Sequence, residues 1–291
     1  MAVRSLIGTS TDFEAVANWS GAAAPVTGDS AYLMTGSQTF ASNLDQSDQD
    51  LASLRFGEDW EGKILTTGPL ILGATTTILI NSPNCTELAL SQADAHTSPN
   101  TYIYATGTGA NAVYLNAGAA QTGVYTNVYI TGGNVHIGAK ATITNLYVYD
   151  GATVLIDSGA AITTINQLGG NIYNSAAVTT VNLWSGTFYH QGTTTVNITT
   201  VTLHGPDALF LLNSLGAALG TVNVYAGLFD GTRVGHANTV GSVAAGTIQH
   251  GARVWLNQQT TVTNDFNDFT LGEGYRGPAS STTEMIPPIP L

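Results

Sequence analysis

The side chains that could do chemistry in this chain are few and well separated. Six histidines (His96, His136, His190, His204, His236 and His250) invite a metal reading, yet no two stand in His-x-His or His-x3-His spacing. Cys85 is the only cysteine, so neither an intrachain disulfide nor a thiolate metal cluster can be built. His136, His190 and His250 each fall three or four residues after a repeat glycine, in separate copies, and read as stacked surface residues. Asp29, Asp45, Asp48 and Asp50 could hold calcium, but acidic loop positions of this kind are also ordinary solvated turns. Asp150 and Asp157 are the one mid-chain acid pair placed to act as general acid and base in the way polysaccharide cleavage requires. Asp150 directly precedes a glycine and Asp157 opens Asp157-Ser-Gly, both common turn positions. Lys140, Arg233 and Arg253 are the only basic side chains between residues 64 and 275. No phosphate-binding glycine loop and no Gly-x-Ser-x-Gly elbow is found. The expectation is a protein that is not an enzyme, with no cofactor and no metal site.

What must position these residues is legible in the composition. Of 291 residues only 9% are charged, against about a quarter in an average soluble domain. The chain is 43% hydrophobic, so the deficit does not signal disorder. A formal net charge of −12 repels phosphate backbones, which excludes nucleic acid as a partner. No apolar run approaches the roughly 18 residues of a membrane span, and the first residues lack the apolar core of a secretory signal. No membrane partner is expected.

The chain repeats itself. Val128-Tyr-Ile-Thr-Gly-Gly133, Leu146-Tyr-Val-Tyr-Asp-Gly151, Ile165-Asn-Gln-Leu-Gly-Gly170, Val181-Asn-Leu-Trp-Ser-Gly186 and Val222-Asn-Val-Tyr-Ala-Gly227 align on their last glycine, with weaker copies ending at Gly205 and Gly246. Successive glycines are 18, 19, 16, 19, 22 and 19 residues apart. Residues five and three before the glycine are apolar, Gln167 excepted, and a period of two means strand. A second short apolar run follows each glycine, and no amphipathic helix intervenes. These features predict an all-β parallel β-helix, a solenoid in which like residues stack about 4.8 Å apart. Stacked charges would repel, which explains why only Asp150, Asp157, Asp207 and Asp230 lie between Asp94 and Asp265. Residues 1–62 read as an N-terminal capping and attachment segment, 63–262 as the β-helix, and 263–291 as an extended Pro-rich arm ending in Met285-Ile-Pro-Pro-Ile-Pro-Leu. Trp19 and Trp60 in the first segment, and Ile286 and Ile289 in the last, are the candidate attachment residues.

If the residues five and three before the glycine point inward, those four and two before it point outward. That places Tyr129, Tyr147, Tyr149, Leu168, Trp184 and Tyr225 on one outer face beside Asn166, Asn182 and Asn223. A contiguous apolar strip in water implies a partner. The two candidates are sister subunits packed side by side and a glycan laid along the rings.

At residues 8–62 the pattern Phe13, Asn18-Trp19-Ser20-Gly21, Pro25, Gly28-Asp29, Leu51, Leu54 and Gly57, leading into Gly/Thr-rich coils, resembles the opening of β-helical phage virion proteins of the capsid-decoration or head-fibre type. It is also similar to the opening of autotransporter passenger repeats. The resemblance implies a structural virion protein made in the host cytoplasm. It would decorate or cement the capsid as a homo-oligomer, a trimer, bound to the major capsid protein or another virion protein. The alternative is a tail-fibre or tailspike-like protein that binds or cleaves a surface polysaccharide.

Overall fold

The structure is a computed structural model. It describes residues 1–94, 96–107, 112–117, 121–191, 196–214, 217–232, 239–244, 252–256, 261–262 and 275–276. Gly246, Arg233, His236, His250 and the arm with Ile286 and Ile289 lie outside the described residues.

The chain is all-β and parallel, as the repeat predicts, and divides into two compact units, Met1–Ala161 and Ile162–Leu291. In the first unit one sheet runs in the order Val3–Ser5, Ser30–Gly36, Ser53–Trp60, Thr77–Ser82, Thr97–Thr106, Val124–Ile130, Thr142–Val148. A second sheet carries the alternate strands, ending with Leu88–Gln92, Val113–Leu115, Gly133–Ile137 and Ala152–Ile156. In the second unit Ala177–Leu183, Ile198–Leu203 and Ala218–Val224 follow one another in one sheet, and Asn171–Asn174, Gly186–His190, Ala208–Leu212 and Leu228–Gly231 in the other. Strand order skips every other strand because the chain crosses between sheets once per half-coil, which is the signature of a solenoid.

Register follows the repeat. Val128 pairs with Leu146 and Ile130 with Val148, while Val181 pairs with Val201 and Val201 with Val222. Val128, Ile130, Leu146, Val148, Val181, Leu183, Val222 and Val224 are all fully buried. The exception, Gln167, is buried too, and its amide N–H groups are absorbed by the carbonyls of Gly170 at 3.0 Å and Thr187 at 3.1 Å. Inside the second unit Phe188, Phe210 and Phe229 form a column with centroids 5.1 and 5.0 Å apart. Gly133, Gly151, Gly170, Gly186 and Gly227 all adopt φ between 67° and 83°, so the aligned glycines turn the corner out of the strand in a left-handed conformation. Gly205 is there for another reason: a Cβ would collide with the Trp184 carbonyl.

The coil stack begins earlier than the boundary at residue 62. Val3–Ser5, Ser30–Gly36 and Ser53–Trp60 are already rungs of the first sheet. The cap is a short return of chain. Residues around the 3-10 turn Val16–Asn18 run antiparallel beside the first strand, with the Leu6–Trp19 bridge, Ser20 N–H donating to Ser5 C=O at 2.9 Å and Ile7 N–H to Asn18 C=O at 2.7 Å. Ser5 N–H in turn donates to Ser20 Oγ at 2.9 Å. The otherwise open strand edge is thereby hydrogen-bonded.

Trp19 and Trp60 do not serve as surface attachment points. Both are 0% exposed. Trp19 packs edge-on against Phe13 and donates its indole N–H to the Phe13 carbonyl at 2.6 Å, and Trp60 lies against Phe56 at 4.9 Å. Large aromatic rings near a solenoid end are worth more in the core, where each removes a large area from water.

Candidate interaction face

The outward positions of the strands carry the candidate site, and each unit has its own aromatic column. In the first unit Tyr102, Tyr129 and Tyr147 stack with centroids 5.0 and 4.7 Å apart and planes within 10° of parallel, and Tyr104 stacks on Tyr102 at 6.2 Å. They meet because the parallel register sets Tyr102 beside Tyr129 and Tyr129 beside Tyr147. Burial, with the neighbouring phenols adding to it, pushes the Tyr129 hydroxyl above its usual range. Asn145 donates to Asn127 at 3.0 Å alongside, so an amide ladder accompanies the rings. Tyr149 is half-buried just past its strand.

In the second unit Trp184, His204 and Tyr225 form the column, with centroids 4.6 and 5.9 Å apart and planes at 12° and 32°. Trp184 and Leu168 are 40% exposed and Tyr225 49%. Asn182 donates to Asn166 at 3.0 Å, and Asn223 to the Thr202 hydroxyl at 3.4 Å. Partial burial holds His204 below its ordinary value, so the ring is uncharged at neutral pH. The strands Ala177–Leu183, Ile198–Leu203 and Ala218–Val224 with these three rings contain no Lys, Arg, Asp or Glu. His204 was not among the outward residues expected from the repeat. Its glycine, Gly205, follows one residue after the ring instead of two, so alignment on glycine displaces this copy; alignment on the buried pair Val201 and Leu203 restores it.

Of the three histidines expected as stacked surface residues, His136 is half-buried and stacks on Tyr114 of the neighbouring coil, His190 lies in the interior, and His250 is outside the described residues. His136 is part of a cluster: its ring lies 4.0 Å from that of Tyr114, and Nε2 is 2.8 Å from Asp157 Oδ1. Tyr114 Oη donates to Asp157 Oδ2 at 3.1 Å, and burial together with that carboxylate pushes the phenol up to about 12. Asp157 is thus engaged with His136 and Tyr114, while Asp150 stands exposed at its turn. His190 is fully buried. Its Nε2 donates to the Val196 carbonyl at 3.3 Å and its Nδ1 accepts from Asn174 Nδ2 at 3.2 Å. Burial lowers its pKa to about 4.

Asp29, Asp50 and Cys85 sit in structural surroundings. Asp29 is buried; burial alone would raise its pKa, but the Ala2 N–H at 2.6 Å and Arg4 at 3.2 Å outweigh that and hold it below the usual carboxylate range. Asp50 Oδ1 accepts from Ala74 N–H at 2.8 Å. Burial pushes the Cys85 thiol up to about 11, which leaves little nucleophilic thiolate. Among the described residues no three His, Cys, Asp or Glu side chains converge where a metal ion could sit, and no helix is long and apolar enough to cross a membrane. Compared with family models, curated proteins and solved structures, the chain matches none.

Proposed function

We propose that this chain is a non-enzymatic structural protein of a phage virion, a β-solenoid that decorates or cements the capsid as a homotrimer. The observation that carries the reading is the uncharged, half-exposed column Trp184–His204–Tyr225. In a chain of net charge −12, a face without Asp, Glu, Lys or Arg is where a second copy can approach with least repulsion. Aromatic and apolar groups left in water there gain free energy by meeting their like, and a self-complementary apolar face of this kind closes as a symmetric oligomer. Attachment to the particle falls to the C-terminal arm with Ile286 and Ile289, since Trp19 and Trp60 are buried.

The alternative places a glycan along the same rings. Ring orientation argues against it. At 4.6 Å and 12°, Trp184 and His204 cover each other's faces, so the column offers mainly ring edges to solvent. A sugar stacks on an open aromatic face, whereas the electropositive edges suit carbonyl oxygens and the ring faces of another protein surface. Light scattering on the full chain tests the assembly reading. A trimer that Trp184→Glu and Tyr225→Glu convert to monomers is expected, together with the protein's presence in purified virions by mass spectrometry. A monomeric wild type, or virions lacking the protein, would sink it.

A further inference from the structure

The outer face of the first coils holds a groove that the assembly reading does not use. Tyr32, Arg55 and Leu79 lie side by side across three neighbouring strands. One position further out come Met34, Glu58 and Asn81, and beyond them Thr35 and Asp59. The groove encloses ≈ 400 Å³, within the range of small-ligand sites. An irregularity in the ladder creates it: between Leu33 and Thr35 the register with Ser53–Trp60 shifts, so Leu33 faces Phe56 but Thr35 faces Asp59. The extra chain re-aims Glu58 and Asp59, as bulges beside binding sites do. Gly57 sits at the bulge without a side chain, and a Cβ there would lie 2.8 Å from Met34 Cε.

The lining is chemically mixed in a specific way. Met34, 47% exposed, and the half-buried Leu79 make an apolar floor, while the Phe56 ring points into the core against Trp60. The Arg55 guanidinium stands 5.0 Å over the Tyr32 ring, which holds its fork of donors in place. Glu58 Oε1 accepts from Asn81 Nδ2 at 2.9 Å, so a carboxylate and an amide are aligned at the rim, and the exposed Asp59 adds a second carboxylate. Two carboxylates over an apolar floor do not supply the six to eight oxygens a calcium ion takes. The same carboxylates, on a chain of net charge −12, repel anionic polymers.

We propose that this groove is a subsite for a neutral carbohydrate chain. Sugar C–H faces would lie on Met34 and Leu79, ring hydroxyls would donate to Glu58 and Asp59, and Arg55 and Asn81 would donate to sugar oxygens. The proposal does not depend on the oligomer. Its test is calorimetric titration of the full chain with maltohexaose, cellohexaose, chitohexaose and mannohexaose, with polygalacturonate as the anionic comparison. Saturable binding of at least one neutral hexasaccharide is expected, weakened about tenfold by Glu58→Gln or Asp59→Asn, with circular dichroism unchanged. Should both acid variants misfold, Asn81→Ala is expected to weaken binding in the same way. No saturable binding of any neutral hexasaccharide at millimolar concentration, affinity indifferent to these variants, or tighter binding of polygalacturonate would each overturn it.

Discussion

His190 is a polar side chain that the coil interior tolerates only in one charge state. With Nε2–H committed to the Val196 carbonyl and Nδ1 accepting from Asn174, a second ring proton would face an N–H donor. The folded pKa is about 4, against about 6.5 in the unfolded chain. Because the folded pKa is depressed, the unfolded state takes up the proton first as pH falls. Stability is therefore intact above about pH 6.5 and declines down to about pH 4, by about 3 kcal/mol. Thermal melts across that window should show the loss, and His190→Leu should flatten the pH dependence even if it lowers the starting stability. Phe210, sandwiched between Phe188 and Phe229, belongs to the same interior. Phe210→Ala should cost about 3–5 kcal/mol in denaturant unfolding.

At the scale of the element, the corner glycines differ in what they hold. Gly151 has φ +81° and open space around its missing Cβ, the nearest atom being the Thr131 carbonyl oxygen at 4.0 Å. Gly151→Ala should therefore cost only the left-handed backbone strain, about 1–2 kcal/mol. Gly186 has nearly the same φ, +83°, but a Cβ there would meet the Gly170 carbonyl, and Gly186→Ala should cost clearly more than Gly151→Ala when the two variants are compared by urea titration. The cap makes a parallel case. Ser20→Ala removes the acceptor for Ser5 N–H and should lower stability by about 1 kcal/mol, with faster amide exchange confined to the first strand.

For the whole molecule the governing quantities are the net charge of −12 and the uncharged aromatic face in the second unit. On the proposed assembly, copies would repel through the rest of their surfaces and attract through that face. Salt screens the repulsion and leaves apolar contact intact, so association should tighten as ionic strength rises. Sedimentation at low and high salt checks this; dissociation by salt would mean that ion pairs hold the oligomer and that the aromatic face has another purpose.

What the sequence determined by itself is whatever repeats. A period near nineteen residues, strand-type alternation and a glycine at a constant phase specify stacked parallel coils, because in-register stacking turns each repeated position into a column. The fold, the inward valines and leucines, and the exposure of Leu168, Trp184 and Tyr225 were legible on that ground. What departs from the repeat was decided by tertiary structure. His204 joins the aromatic column through register, although its glycine is out of phase. His190 is buried because Asn174 from the neighbouring coil meets its ring, and Asp157 gathers Tyr114 and His136 from coils up to 43 residues away in the chain. Trp19 and Trp60 entered the core because the first coils start before residue 62. Such contacts join residues of unlike type across coils, so no periodicity announces them; only the closed stack brings them within hydrogen-bonding distance.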